Sequence, residues 1–464
     1  MNLTHVVDRA EAGFKASLER LMDLLRIPSI STDPAYAGAC DDAAHWLVKE
    51  LQALGFEASS RKTPGRPMVV AHYKPKNATA KTPHALFYGH YDVQPVDPLE
   101  LWHTKPFDPT LKKGTDGVER LYGRGTADDK GQLMTFVEAA RAWIEATGDL
   151  PIKATFLIEG EEESGSPSLI PFLQANKAEL SCDVAFVCDS NMWDEKTPAI
   201  TTRLRGLVHE EVEIEGPSID LHSGMYGGPA TNPIRALSKL VAALHDRNGK
   251  VAIPGFYDGV SLVSKATKTQ WASLKFSEKK FLGSVGLKSS AGEKGFSVLE
   301  QVWARPTAEV NGMWGGYTGA GTKTVIPSKA FAKFTFRLVG KQNPQKILKA
   351  FQAFAKKQMM PDAKIRFSGK GGGSPASEIA ENNQYIVKSA AALKAEWGKD
   401  TVLMGSGGSI PIVRSFKDIL GMDSVLIGFG LNDDAIHSPN EKYNLNSFQR
   451  GIKSWVRVIG ALAG

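Results

Sequence analysis

Cysteine is scarce in this chain: 464 residues contain three, Cys40, Cys182 and Cys188. An odd and sparse count excludes a disulfide framework and suits a reducing compartment. No Cys-x-x-Cys pair is present, which excludes a zinc site built on paired thiolates. Cys188 reads as a small core residue, the usual role of a free thiol. Long apolar runs are also missing. No stretch reaches the ~18 residues that span a bilayer. The first ten residues carry charges and no apolar signal core. The expected location is the cytoplasm, with no membrane partner. Nor is charge of one sign concentrated. A formal net charge of +6 is small for this length, and Lys112-Lys113, Lys279-Lys280 and Lys356-Lys357 are scattered rather than gathered in a basic arm. A solvated surface is expected, without nucleic-acid binding.

What is present is the composition of a soluble globular protein, 42% apolar and 23% charged. The length exceeds a single core, so two or three domains are expected. Helical spacing runs from Arg9 to Leu25 and from Asp41 to Leu54. Short apolar runs at Met68–Ala71, Ala85–Tyr88, Ala154–Ile158 and Val184–Val187 read as buried strands. Helices are expected after Asp129, to about Thr147, and near Pro167–Ala175. This alternation implies an α/β sheet with helices on both faces. Near Leu204 the pattern changes. From Val208 to Ile214 one face is mostly apolar and the other charged, as in a strand with one wet face. A helix at Pro233–His245, a strand at Ala330–Arg337 and a helix at Gln345–Lys357 complete a small α+β domain. Between them, 248–324 is rich in Gly, Lys and Ser and only weakly periodic, and reads as a long lid excursion. Gly369–Pro375 reads as a hinge, after which a helix at Gln384–Trp397 and a strand at Val425–Phe429 resume the first domain. The expected layout is a catalytic domain in two parts, 1–205 and 383–464, interrupted by an inserted domain, 206–382.

The chemistry sits where apolar runs end. His90 and Asp92 follow one strand, Glu161, Glu162 and Glu163 the next, and Asp189 a third. His437 follows another near the C-terminus, and Asp128-Asp129 separates a Gly-rich turn from a helix start. Ligands of open α/β sheets gather at strand carboxyl ends. Two histidines with several carboxylates are the donor set of a dinuclear zinc or manganese centre. Such a centre makes a hydroxide nucleophile at neutral pH, which points to a hydrolase. Asp92 is placed to take the second N–H of a ligating His90. Asp128-Asp129 fits a helix N-cap as well as a metal bridge. Three adjacent glutamates repel one another unless a cation is near. Their side chains diverge, so that one can ligate while a neighbour acts as general base.

Several longer motifs carry a resemblance. They are Tyr88-Gly89-His90-Tyr91-Asp92-Val93-Gln94-Pro95, Tyr122 through Gly131, Asp220-Leu221-His222-Ser223-Gly224-Met225-Tyr226-Gly227-Gly228, Thr324-Val325-Ile326-Pro327 and His437-Ser438-Pro439-Asn440-Glu441. From about Leu24 to the C-terminus the chain resembles the carnosinase, cytosolic non-specific dipeptidase and aminoacylase family of dinuclear metallopeptidases, in its dipeptidase branch. The resemblance implies a catalytic domain with a mixed central sheet flanked by helices, and an inserted α+β lid and dimerisation domain. It implies two divalent ions, Zn2+ or Mn2+, per subunit. One would be held by His90, Asp128 and Asp189, the other by Asp128, Glu163 and His437, with Asp128 bridging. Glu162 would be the general base, and the Asp128–Asp129 peptide bond would be cis. His222 would reach the active site of the partner subunit of a homodimer and stabilise the oxyanion. Arg337, with Thr324 and Ser409, would hold the free carboxylate of a small peptide substrate. The implied activity is dipeptide hydrolysis, with an N-acyl-amino-acid amidohydrolase or a carboxypeptidase as alternatives.

Overall fold

The computed structural model describes residues 3–369, 373–408 and 410–464. The chain divides into two compact units. Unit 1 is Met1–Thr202, Ile379–Met404 and Ser415–Gly464; unit 2 is Arg203–Glu378 and Gly405–Arg414. The segment Gly405–Arg414 groups with the inserted unit, although the sequence pattern assigns it to the second catalytic part.

Unit 1 opens with helices α1 (Leu3–Ala12), α2 (Phe14–Leu25) and α3 (Ala37–Ala53). The first expected helix is thus two helices, meeting at Gly13, and it starts earlier than the apolar spacing indicates. Strands β1 (Glu57–Arg61), β2 (Met68–Tyr73) and β3 (His84–His90) follow. Next come helix α4 (Lys130–Thr147) and strands β4 (Lys153–Glu159), β5 (Val184–Val187) and β6 (Ala199–Leu204). After unit 2 the chain adds α5 (Gln384–Trp397), β7 (Ser424–Leu426) and α6 (Leu445–Ala463). The strand order is β1-β2-β4-β3-β5-β7-β6. The four central strands β4, β3, β5 and β7 run parallel, and β1, β2 and β6 run antiparallel to their neighbours. Central parallel strands are covered on both faces, which explains why all four residues of β5 are buried. The sheet is mixed and flanked by helices, as the resemblance implies.

One aromatic cluster fixes helices to this sheet. Phe87 of β3 stacks on Phe186 of β5 at 5.5 Å and meets Phe156 of β4 edge-on at 5.4 Å. Trp455 of α6 lies edge-on to Phe87 and Phe186, each at 5.6 Å. Trp143 of α4 donates its indole N–H to the Val456 carbonyl of α6 at 3.1 Å. The helix carrying Trp455 was not recognised from the sequence. Its apolar residues Phe448, Ile452, Trp455, Ile459 and Leu462 recur at helical spacing and form the face that packs on the sheet.

Unit 2 is built on an antiparallel sheet of Thr307–Gly315, Lys329–Leu338, Gly206–Glu215 and Lys364–Phe367, in that order. Gly373-Ser374 adds a short pairing to Leu207 and Val208. The alternation of Val208 to Ile214 appears as burial: Val208, Glu210, Val212 and Ile214 are inside. Helices Pro233–Ala243 and Pro344–Lys357 supply Leu237, Leu240 and Phe351 to the same core. The 248–324 segment is more ordered than its composition indicates. It contains helices Lys265–Ser273, Glu278–Gly283 and Val298–Trp303, and the edge strand Thr307–Gly315. That strand escapes detection because most of its residues are exposed on either face, so it carries no alternation. Among the described residues no helix is long and apolar enough to cross a membrane.

Trp455 closes the cluster between α6 and the sheet, and large-to-small changes at such sites cost about 3–5 kcal/mol. Trp455→Ala should lower the denaturant midpoint by that equivalent. A loss below about 1 kcal/mol would contradict the packing role.

Candidate metal centre

The parallel register of the central strands assembles the site. His90 closes β3 and pairs with Glu159 at the end of β4. Tyr88 pairs with Val187 at the end of β5. Residues that follow β3, β4 and β5 therefore emerge at one edge: His90 and Asp92, Glu161 to Glu163, and Asp189. The turn before α4 brings Asp128 to that edge. Glycine at 89 is required here, since a Cβ there would lie 2.7 Å from Asp129 Oδ2 and 2.9 Å from Leu133 Cβ. The Asp129 carboxylate accepts the His90 N–H at 3.1 Å through this gap. The Asp128–Asp129 peptide bond is cis.

Two groups of candidate ligands share one residue. His90, Asp128 and Asp189 form one, and Asp128, Glu163 and His437 the other, with the donor atoms of each group within 4.8 Å of one another. Asp128 Oδ1 lies 3.1 Å from His90 Nε2, and Asp128 Oδ2 lies 2.9 Å from His437 Nε2. His90 Nε2 is 3.9 Å from Asp189 Oδ2, and His437 Nε2 is 3.2 Å from Glu163 Oε2. His90 and Asp92 are fully buried, whereas the His437 side chain is 53% exposed, so the cluster opens to solvent on that side. Glu163 Oε1 and Asp129 Oδ1 are buried without a hydrogen-bond partner. Imidazole nitrogens aimed at carboxylate oxygens, with a buried carboxylate oxygen left over, are a donor set suited to divalent cations of the zinc and manganese type.

Asp92 does more than the sequence pattern indicates. His90 Nδ1 makes its shorter contact, 3.0 Å, with the Asp92 backbone carbonyl, and lies 3.4 Å from Asp92 Oδ1. The Asp92 carboxylate accepts the backbone N–H groups of Glu162 and Glu163 at 3.2 and 3.0 Å. One residue thus orients a histidine and holds the glutamate turn. Glu162 is half-buried beside the cluster, and Glu161 is buried.

Two positioning residues were given no role from the sequence. Gln94 donates to Glu163 Oε2 at 2.7 Å. Glu441 is fully buried and accepts the N–H groups of Gly125, Ala127 and Asp128 at 2.9, 2.9 and 3.1 Å, with Arg124 at 2.8 Å. Both lie inside motifs quoted above. Their spacing to the ligands says nothing about contact, so only the fold assigns the work.

The residues implied for substrate work lie in unit 2. His222 pairs with Val325 on two short strands, and the Ser223 N–H donates to the Thr324 carbonyl at 3.0 Å, so His222 and Thr324 are neighbours. Arg337 lies on the larger sheet, paired with Leu207 and Thr307. Ser409 lies outside the described residues.

Residues 86–461 match the family described as Peptidase family M20/M25/M40. The chain belongs to this family. It is 32% identical to the Cys-Gly metallodipeptidase DUG1 of Candida albicans, over 94% of this chain and 92% of that protein. The solved structure of the di-peptidase Dug1p from Saccharomyces cerevisiae superposes with a TM-score of 0.76 at 28% identity, covering 100% and 98% of the two chains. The M20 family metallo-carboxypeptidase Sso-CP2 from Sulfolobus solfataricus superposes with a TM-score of 0.78 at 29% identity, covering 96% and 99%. The chain is a hydrolase of the metallopeptidase class.

Its electrostatics follow from crowding acids and imidazoles in a partly dry site. Asp128 and Glu163 raise the His437 pKa to about 10. Burial opposes a charged His90, yet Asp128 and Asp92 outweigh it and the pKa rises well above the usual imidazole value. Burial, then Asp128, raises the Asp189 carboxyl to about 7. Burial, with Glu163 and Asp128 adding to it, also raises Glu162. In the ion-free protein the His437 contribution to stability is complete below its ordinary pKa of 6.5 and is lost as pH rises through about 10. A cation needs neutral imidazoles and ionised carboxylates, so it competes with these protons. Zinc or manganese affinity should rise with pH from about 6 to 10. At pH 7, calorimetric titration in buffers of different ionisation enthalpy should find more than one proton released per subunit. Release of none would contradict the arrangement.

Proposed function

We propose that the protein is a dinuclear metallodipeptidase that hydrolyses the peptide bond of small substrates bearing a free carboxylate. The two ligand groups joined at Asp128, with Glu162 beside them, are the observation that carries this reading. The dipeptidase relatives support it, since the likeness to them extends over nearly the whole chain. His90, Asp128 and Asp189 hold one ion, and Asp128, Glu163 and His437 the other. Bound zinc or manganese supplies a water of lowered pKa and Lewis acidity toward the peptide carbonyl. Glu162 takes the proton of the attacking water and later delivers it to the leaving amine. Its raised pKa suits the role, because a carboxylate of low pKa is too weak a base to take the proton from water. Asp92 keeps Glu162 and Glu163 in register by binding their N–H groups. Arg337, with Thr324 and Ser409, holds the substrate carboxylate, for which a planar guanidinium is the apt partner. His222 donates to the developing oxyanion across a homodimer. The edge strand Thr307–Gly315, with exposed Val310, Met313 and Trp314, gives such a dimer a sheet edge that is unpaired among the described residues. The three free cysteines suit a cytoplasmic protein.

Hydrolysis of a matched set tests the reading: a dipeptide, its N-acetyl form, its C-terminal amide and a tripeptide, with zinc, manganese or a chelator. Metal-dependent cleavage of the free dipeptide, lost on amidation, is expected. Faster attack on the N-acetyl form would make the protein an aminoacylase. Faster attack on the tripeptide would make it a carboxypeptidase, the activity of Sso-CP2. Removing a general base typically costs 10²–10⁴-fold, so Glu162→Gln should lower kcat by about that factor while both ions still bind. His222→Ala should lower turnover with the fold intact. An obligate monomer with full activity would exclude the shared site.

A further inference from the structure

Unit 2 carries a second arginine beside Arg337 that neither the motifs nor the resemblance assigns. Arg337 is paired with Leu207, and Arg205 lies two residues before Leu207 on the same strand approach. Alternation places Arg205 on the same side of the sheet, diagonal to Arg337, a spacing of roughly 7–8 Å between such positions. The Arg205 backbone N–H donates to the Gly408 carbonyl at 3.2 Å, and its Nε donates to the Gly407 carbonyl at 3.0 Å. These bonds seat the guanidinium against the Gly405–Gly408 loop. Gly407 leaves room for it, since a Cβ there would lie 3.0 Å from Arg205 Nη2. Both Nη groups of Arg205 remain without an acceptor among the described residues, and neither Arg205 nor Arg337 forms an ion pair among them. Both side chains are half-buried.

Holding two unpaired guanidinium groups close together, partly out of water, is unfavourable. Burial and then Arg337 depress the Arg205 pKa to about 10, and the attraction of Glu309 only partly offsets this. A single carboxylate, taken bidentately by Arg337, would leave the second charge uncompensated. Two carboxylates would neutralise both.

We propose that Arg205 and Arg337 together form a site for two carboxylates, so that the preferred dipeptides end in an acidic residue. Arg337 takes the main-chain carboxylate and Arg205 the side-chain one. This inference rests on the dipeptidase reading and on the role given there to Arg337.

The test compares Ala-Glu with Ala-Gln, which matches it in shape without the charge, and with Ala-Ala, all at saturating zinc or manganese. In the natural protein kcat/KM for Ala-Glu should exceed that for Ala-Gln by about tenfold or more, carried by KM, as expected of a charge-assisted pair. Arg205→Met should reduce this ratio toward one. Because the ratio is read, any uniform loss from a disturbed Gly405–Gly408 loop cancels. If Arg205→Met does not turn over either substrate, Arg205→Gln, which keeps a donor to the Gly407 carbonyl without the charge, is read in its place. A lowered ratio supports the assignment and an unchanged one overturns it. Ala-Glu cleaved no better than Ala-Gln by the natural protein overturns this inference and leaves the dipeptidase reading standing. No metal-dependent cleavage of any of the three overturns both.

Discussion

The carboxylate of Asp128 is the hub on which the site depends. Its two oxygens face two imidazoles, from His90 on one side and His437 on the other, and each oxygen belongs to one of the two ligand groups. A carboxylate can serve two groups in this way only if its backbone is held still. Glu441 does this by accepting three N–H groups of the turn that carries Asp128, with Arg124 balancing its charge. His437 and Glu441 lie on one loop, so the segment that supplies a candidate ligand also clamps the turn bearing the shared one. The loop takes left-handed backbone angles at Ala435, His437 and Asn440. Asn440 ties it down further through its bonds to His103 and Leu101.

Around the hub, each acid is paired with a restraint. Asp92 gathers the N–H groups of Glu162 and Glu163, and Gln94 holds a Glu163 oxygen. Without these bonds, adjacent glutamates in a partly dry site would turn toward solvent to escape one another. The same crowding makes the ion-free cluster rich in protons. Cation binding and proton release are then one equilibrium, and the charge of an incoming ion is matched by protons leaving. The exposed flank at His437 is the open side of an otherwise buried arrangement.

The inserted unit follows a different logic. Its sheet has one apolar face covered by two helices, and the other face carries charged side chains. Most of those charges pair across strands, as Lys329 does with Glu213 and Arg366 with Glu215. Arg205 and Arg337 stand apart because neither forms an ion pair among the described residues, and Glu309 offsets the charge of Arg205 only in part. Paired charges on a sheet face are surface solvation, whereas two unpaired ones, with Arg205 held in place by the Gly407 carbonyl, suit recognition of an anion.

How much of this was legible in the sequence follows from the range of each interaction. The buried strand Val184–Val187, helix α5 and the wet-faced strand from Val208 are local patterns, and spacing alone located them. The positions of His90, Glu163, Asp189 and His437 after apolar runs, and of Asp128 between a Gly-rich turn and a helix start, were visible for the same reason. The edge strand Thr307–Gly315 was not, because most of its residues are exposed and leave no alternation, whereas helix α6 does carry helical spacing in Phe448, Ile452, Trp455, Ile459 and Leu462. The order β4-β3-β5-β7 was also beyond reach, since pairing between strands leaves no mark on either one. That order is what brings five separated donors to one sheet edge. The chain's residues by themselves determined the donor chemistry, the absence of thiolate ligands and the alternation of elements. Only tertiary packing decided that Asp128 serves two groups at once, that Asp92 and Glu441 hold turns rather than surface charge, and that Arg205 stands beside Arg337, because each depends on backbone N–H groups or side chains that approach only after the sheets have formed.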